Sequence, residues 1–265
     1  MPLSKEILEQ QKQSRLEEIN YNNFGTKMKI VEYYNVNYII VEFQDEFKSK
    51  KKCSYNNFKK GIVKNLYDKE VYNIGYIGEG KYTHKTHKDI YRRWYDMIQR
   101  CYDSKIWIKH PTYKDATVCE EWHNFQNFAK WYEDNYYECN GEKMCLDKDI
   151  LTKGNKIYSP ETCVFVPERI NELFIKRQNH RGDLPIGVGF HKRDNQYYAQ
   201  CRILDENNKK KNVWLGYFPN EPFHAFYTYK MFKEKYIKQI ADKYKDLIPQ
   251  RLHEAMYKWE VEVND

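Results

Sequence analysis

The last third of the chain most constrains the fold. Residues 186–190, 197–203 and 213–218 are short runs of β-branched and aromatic residues, separated by Asp194-Asn195 and by Asp205-Glu206-Asn207-Asn208. Runs of this kind, broken by Asn and Asp, read as strands joined by hairpin turns. From 223 to 244 the period changes: Ala225, Phe226, Tyr229, Phe232, Tyr236, Ile237 and Ile240 recur at helical spacing. A three-stranded sheet backed by one helix satisfies both patterns. It takes residues 185–246, with 247–265 as a tail that carries a further amphipathic stretch. The other residues therefore need cores of their own.

Upstream of it, residues 177–184 are polar and turn-rich and read as a linker. Residues 1–24 hold a helix with a thin apolar stripe (Leu3, Ile7, Leu8, Leu16, Ile19), a face that docks on something else, such as a second protomer. Residues 25–82 alternate as strands do, with a hairpin at Asn35-Val36-Asn37 and a lysine-rich loop, Lys48 to Lys52. Gly75, Gly78 and Gly80 read as turns, because no strand-loop-helix context makes them a nucleotide loop. Residues 83–176 form a third unit. Thr86 is the expected N-cap of a helix carrying Trp94, Met97, Ile98 and Cys101 on one face, and an aromatic helix follows from Cys119. Short strands are expected around Leu146–Ile150 and Cys163–Val166, with Pro167 opening a helix. The expected class is α+β and multidomain: a small β-rich unit, a central unit with flanking helices, and a three-stranded sheet plus helix.

Composition narrows the class of function. No apolar run of membrane length occurs, and the charged N-terminus lacks the apolar core of a secretory signal. Seven cysteines without a C-x-x-C pair fit thiols of a reducing compartment, so a cytoplasmic protein is expected. Cys119, Cys139, Cys145 and Cys163 with His123 match no common zinc module, and core thiols are the plainer reading. Basic residues number 45 against 38 acidic, a net +7 that suits a polyanionic partner. Most of the basic residues are lysine, so codon bias is the competing explanation of that excess.

Two resemblances follow from motifs. Gly187-Val188 with His191-Lys192-Arg193, then Tyr198-Ala199-Gln200 with Arg202, then Leu215-Gly216-Tyr217-Phe218 with Ala225, Tyr227 and Lys230 resemble an ethylene-response-factor (APETALA-type) DNA-binding domain. In that family the sheet face enters the major groove. The resemblance implies that Lys192, Arg193, Arg202 and Trp214 face double-stranded DNA, with Lys209, Lys210 and Lys211 near phosphates. Ile186 and Gly189 stand where the plant-type domains carry arginines.

The second set, Leu146-Asp147-Lys148, then 158–166, then Arg169-Ile170-Asn171, resembles the HNH (ββα-metal) homing endonucleases of phages. That likeness implies a divalent metal, Mg or Mn, held by Asp147, Thr162 and Asn171, with Lys148 and Asp149 at the catalytic positions. Lys148 stands where the family has its base histidine and Thr162 where it has an asparagine, so the active site is degenerate. A lysine is a poor base near neutrality unless it is buried. Asp149 or Asn155 are substitute ligands, and His123 or His180 distant bases.

The resemblances imply a phage-type DNA-binding protein in the bacterial host cytoplasm, a metal-dependent nickase or endonuclease if the site is active. The alternatives are an inactive scaffold that binds and inhibits a host defence complex, and a regulator that binds DNA without cutting. No membrane partner is expected, and the terminal helices offer surfaces for a homo-oligomer.

Overall fold

The computed structural model describes residues 5–175, 183–205, 209–219 and 221–265, and it divides into two compact units, Met1–Lys130 and Trp131–Asp265. The expected linker, 177–184, and the turn at 206–208 fall largely outside the described residues, as does His180. Among the described residues no helix is long and apolar enough to cross a membrane.

In the first unit, helix α1 (Lys5–Arg15) precedes a four-stranded antiparallel sheet of β1 (Ile19–Tyr21), β2 (Lys27–Asn35), β3 (Tyr38–Phe43) and β4 (Lys50–Cys53), paired in that order. Alternation along β2 and β3 sends Met28, Ile30, Ile39, Val41 and Phe43 to one face, where Phe58 of α2 (Tyr55–Lys59) closes the core. Ser54 caps α2 by accepting from the Asn57 N–H at 3.2 Å. The hairpin at Asn35–Asn37 is present, with the Asn37 N–H bonded to Asn35 Oδ1 at 2.9 Å.

Three local expectations change. The first helix ends at Arg15, and residues 19–21 join the sheet. Part of the thin stripe docks on the chain's own sheet: Leu8 packs on the core, and Arg15 donates to the Tyr33 hydroxyl at 2.6 Å and lies 4.0 Å from the Tyr55 ring centroid, whereas Ile7, Leu16 and Ile19 stay exposed. The lysine run is an edge strand rather than a loop, because backbone pairing with β3 outweighs the low strand preference of lysine. Lysines on an edge also discourage pairing with another sheet.

Helix α3 (Lys88–Tyr102) buries Trp94, Met97, Ile98 and Cys101, the expected face. Its N-cap is His87, not Thr86, and the Thr86 hydroxyl lies 2.7 Å from that of Thr83. Gly75 is glycine for a steric reason: a Cβ there would lie 2.6 Å from Ile98 Cδ1 and 2.7 Å from Trp94 Cζ2. Helix α4 (Ser104–Lys109), the two-residue strand β5 (Thr117–Val118) and α5 (Phe125–Asn135) follow. Residues 120–123 form a separate 3₁₀ turn, so α5 starts later than the aromatic run indicates.

In the second unit, β6 (Met144–Asp147) pairs antiparallel with β8 (Val164–Pro167); the short β7 (Ile157–Tyr158) lies between them in sequence, and α6 (Glu168–Leu173) follows. All four residues of β8 are buried. The Phe165 ring packs 4.9 Å from Tyr132 and 5.2 Å from Trp131. The C-terminal layer is a sheet in the order β11-β10-β9, from β9 (Val188–His191), β10 (Gln196–Leu204) and β11 (Lys210–Phe218). Helix α7 (Pro222–Tyr244) covers one face, with Val188, Ala199 and Cys201 packed on Ala225, Phe226 and Tyr229. After α8 (Gln250–Tyr257) the tail folds back, and the Val261 carbonyl accepts from Lys230 Nζ at 2.8 Å.

Candidate nucleic-acid interface and the central acidic turn

Strand alternation decides what the C-terminal sheet shows to solvent. Ala199 and Cys201 point to α7, so Tyr198, Gln200 and Arg202 point to the open face. Their partners across the ladder are Tyr217, Trp214 and Asn212. The register shifts at Ala199/Gln200, leaving Leu215 as an extra residue of β11. That bulge brings Trp214 and Tyr217, three residues apart, to the same face.

The rings form one cluster. Trp214 stacks on Tyr198 with centroids 5.1 Å apart and meets Tyr217 edge-on at 4.8 Å. Trp214 stays 49% exposed and Tyr217 48%, so both remain available to a partner. Arg202 Nε donates to Asn212 Oδ1 at 3.3 Å, a contact that orients the guanidinium on the sheet. Tyr198 also accounts for Gly189: a Cβ there would run into the Tyr198 ring, so this position does not accept an arginine without displacing it.

Of the residues assigned to DNA from sequence, Arg202 and Trp214 share this face. Lys192 and Arg193 lie just beyond β9 and are exposed, with Arg193 3.7 Å from Asp194. Lys209, Lys210 and Lys211 do not act as one patch. Lys210 and Lys211 alternate across the sheet, opposite Leu204 and Ile203, and Lys210 is held by Glu172 at 2.8 Å. Tyr198, Gln200, Asn212 and Tyr217 also belong to the face. The i, i+2 series Tyr198, Gln200, Arg202 is the sequence signal for half of them, and the bulge that adds Tyr217 has no such signal.

The central unit has the expected order of strand, loop, strand and helix, but its first strand stops at Asp147. Asp147 ends β6, and its Oδ1 accepts from the backbone N–H groups of Asp149 and Ile150, each at 2.8 Å. This is an Asp-capped turn. Asp147 and Asp149 therefore do not alternate on one strand, because the strand stops before Asp149. Burial, then the neighbouring Asp149 charge, pushes the Asp147 carboxyl up to about 6, against the pull of those two N–H groups.

Lys148 is 8% exposed. Its ammonium donates to Asp149 Oδ2 at 3.1 Å and to the Asn155 carbonyl at 3.0 Å, and it lies 5.8 Å from the Tyr158 ring centroid. Asn155 spends its amide on the carbonyls of Lys148 and Ile157, both at 2.7 Å. Thr162 Oγ1 donates to the Ile157 carbonyl at 2.7 Å and lies 3.1 Å from Ser159 Oγ. Asn171 sits in α6.

These contacts give the expected site residues structural partners. Asp147, Lys148, Asn155 and Thr162 each stabilise the turn between β6 and β8. Among the described residues no hydrogen bond joins Asp147, Thr162 and Asn171 to one another, and no group of three or more His, Cys, Asp or Glu side chains is placed to hold a metal. The same statement covers the cysteine set around Cys139. His123 lies 3.1 Å from the Val118 carbonyl through Nε2, and burial moves its pKa below the ordinary imidazole value.

Comparison of the chain with protein-family models, with curated proteins and with solved structures gave no match.

Proposed function

We propose that the protein binds double-stranded DNA through the open face of its C-terminal sheet, and that its central acidic turn serves folding rather than hydrolysis. The observation that carries the reading is one face presenting Gln200, Arg202 and Asn212 beside an exposed aromatic cluster, with Lys192 and Arg193 at its margin. A sheet of this width fits a major groove, where Gln and Arg meet base edges and lysines meet phosphates. The central turn supports the second half of the reading. Asp147 caps two backbone N–H groups and Lys148 is paired with Asp149, so both side chains have a structural role in the turn. On this reading the protein is a DNA-binding regulator whose central motif resembles the HNH type.

The test is duplex binding across a salt series. Arg202→Ala is expected to weaken binding by about 1–3 kcal/mol, and Lys192→Ala to reduce the salt slope by about 1. Nicking of supercoiled plasmid in Mg or Mn, by the native chain or by Lys148→His with Thr162→Asn, would overturn the non-cutting half. A chain that fails to bind duplex even at low salt would overturn the DNA half. The exposed Trp214 and Tyr217 would then point to a protein partner, since such rings are favoured anchors.

A further inference from the structure

Helix α7 carries a second stripe besides the one it buries. Phe223, Tyr227 and Met231 recur every four residues on the side that does not pack on the sheet, and they are 57%, 58% and 74% exposed. They leave about 400 Å² of mostly apolar side chain in water, a patch of the size that marks interaction sites. Ala225, Phe226 and Tyr229 already supply the helix's share of the core, so folding of the chain does not explain the second stripe.

The C-terminal half of the same helix has the complementary shape. With α8 it forms a shallow groove lined by Met231, Lys235, Lys238, Gln239 and Tyr257. Two acids also border the groove, and both are engaged within the chain. Glu234 accepts from Lys230 Nζ at 2.6 Å and from the Val261 N–H at 2.8 Å, and Asp242 accepts from the Tyr257 hydroxyl. One half of α7 therefore offers aromatic rings, and the other offers a thioether and two lysine ammonium groups. Rings attract partners of both kinds. Glu221, the exposed acid at the start of the helix, lies 3.8 Å from His224.

We propose that this face is the interface of a homodimer, in which α7 packs antiparallel on α7 of a second copy about a two-fold axis near Tyr229. At a rise of about 1.5 Å per residue, positions equally far from the axis meet, and each contact is made twice. Tyr227 then lies against Met231 of the second copy, Phe223 enters the groove beside its Lys235, and Glu221 faces its Lys238. A parallel two-fold pair would instead set Lys235 on Lys235 and Lys238 on Lys238, and like charges oppose that. Two such stripes bury less than the roughly 1,200–2,000 Å² of a standard interface, so the dimer is a weak one of micromolar affinity. Tyr198, Gln200 and Arg202 point to the face of the sheet that α7 leaves open, so the dimer does not rest on the DNA reading.

The experiment is sedimentation equilibrium of the full chain from about 1 μM to about 1 mM. The native chain is expected to pass from monomer to dimer across that range. Tyr227→Glu should raise the dissociation constant at least about tenfold, with the melting temperature unchanged because the side chain is half exposed. Glu221→Lys and Lys238→Glu should each weaken the dimer by about three- to tenfold. The double variant should restore it, because the two-fold sets position 221 of one copy against position 238 of the other. A chain that stays monomeric throughout, a dimer unaffected by Tyr227→Glu, or a double variant no tighter than the single ones would each overturn the proposal. Binding to phosphatidylglycerol vesicles in place of self-association would also overturn it, and would give the stripe to a lipid surface.

Discussion

Replacing Asp147 by Asn separates the two roles an acid at this position can have. The side-chain oxygen accepts two backbone N–H groups at 2.8 Å, and an asparagine carbonyl can do the same. What the substitution removes is a carboxylate charge that the site disfavours. Moving the pKa from 3.8 to about 6 corresponds to about 3 kcal/mol at 1.4 kcal/mol per pH unit, an upper figure for a side chain that keeps some contact with water.

The sign follows from proton binding. Below the unfolded value of 3.8 both states carry the proton, and the neutral acid's contribution is fully present. Between that value and about 6 the unfolded chain releases its proton first, so stability falls as pH rises. Above about 6 both states are ionised and the penalty is constant. Urea unfolding of the native chain and of Asp147→Asn at a series of pH values from 3.5 to 8 reads this directly. The variant should be more stable by about 1–3 kcal/mol at pH 8, match the native chain near pH 4, and lack its loss of stability between. Asp147→Ala should be destabilised throughout, by about 1–3 kcal/mol, because two partly buried donors lose their acceptor. An asparagine variant less stable than the native chain at pH 8, or one with the same pH slope, would refute the reasoning.

Two further outcomes test the packing. Lys148→Met should lower stability at pH 8 by about 1–2 kcal/mol in chemical denaturation, since it leaves the Asn155 carbonyl unanswered and Asp149 without its cation; the half-exposed Asp149 keeps the loss at the small end. Gly75→Ala should cost about 1–3 kcal/mol in the same assay, because Trp94 and Ile98 are fully buried and have no room to withdraw from a new methyl group.

The amino-acid sequence by itself determined the local periods. Alternation at 28–30 and 39–43, the three short runs after 186 and the helical stripe of α7 are visible without coordinates, because side-chain direction repeats every two residues in a strand and every 3.6 in a helix. The same period put Arg202 and Trp214 on a shared face, since both lie in short strands of fixed pairing. Long-range contacts decided the remainder. Lysines 50–52 became an edge strand through β3, and residues 19–21 left the first helix to pair with β2. The bulge at Leu215 moved Tyr217 onto the open face, a shift that alternation alone places wrongly. Around Asp147 the residue order resembles a catalytic pattern with two positions altered, and where each polar atom spends its hydrogen bonds is not legible in that order. Those bonds go to the backbone of the turn and to each other. Lys233 gives the converse case: its spacing on α7 reads as one more position of a helix, and only the packing around it buries it.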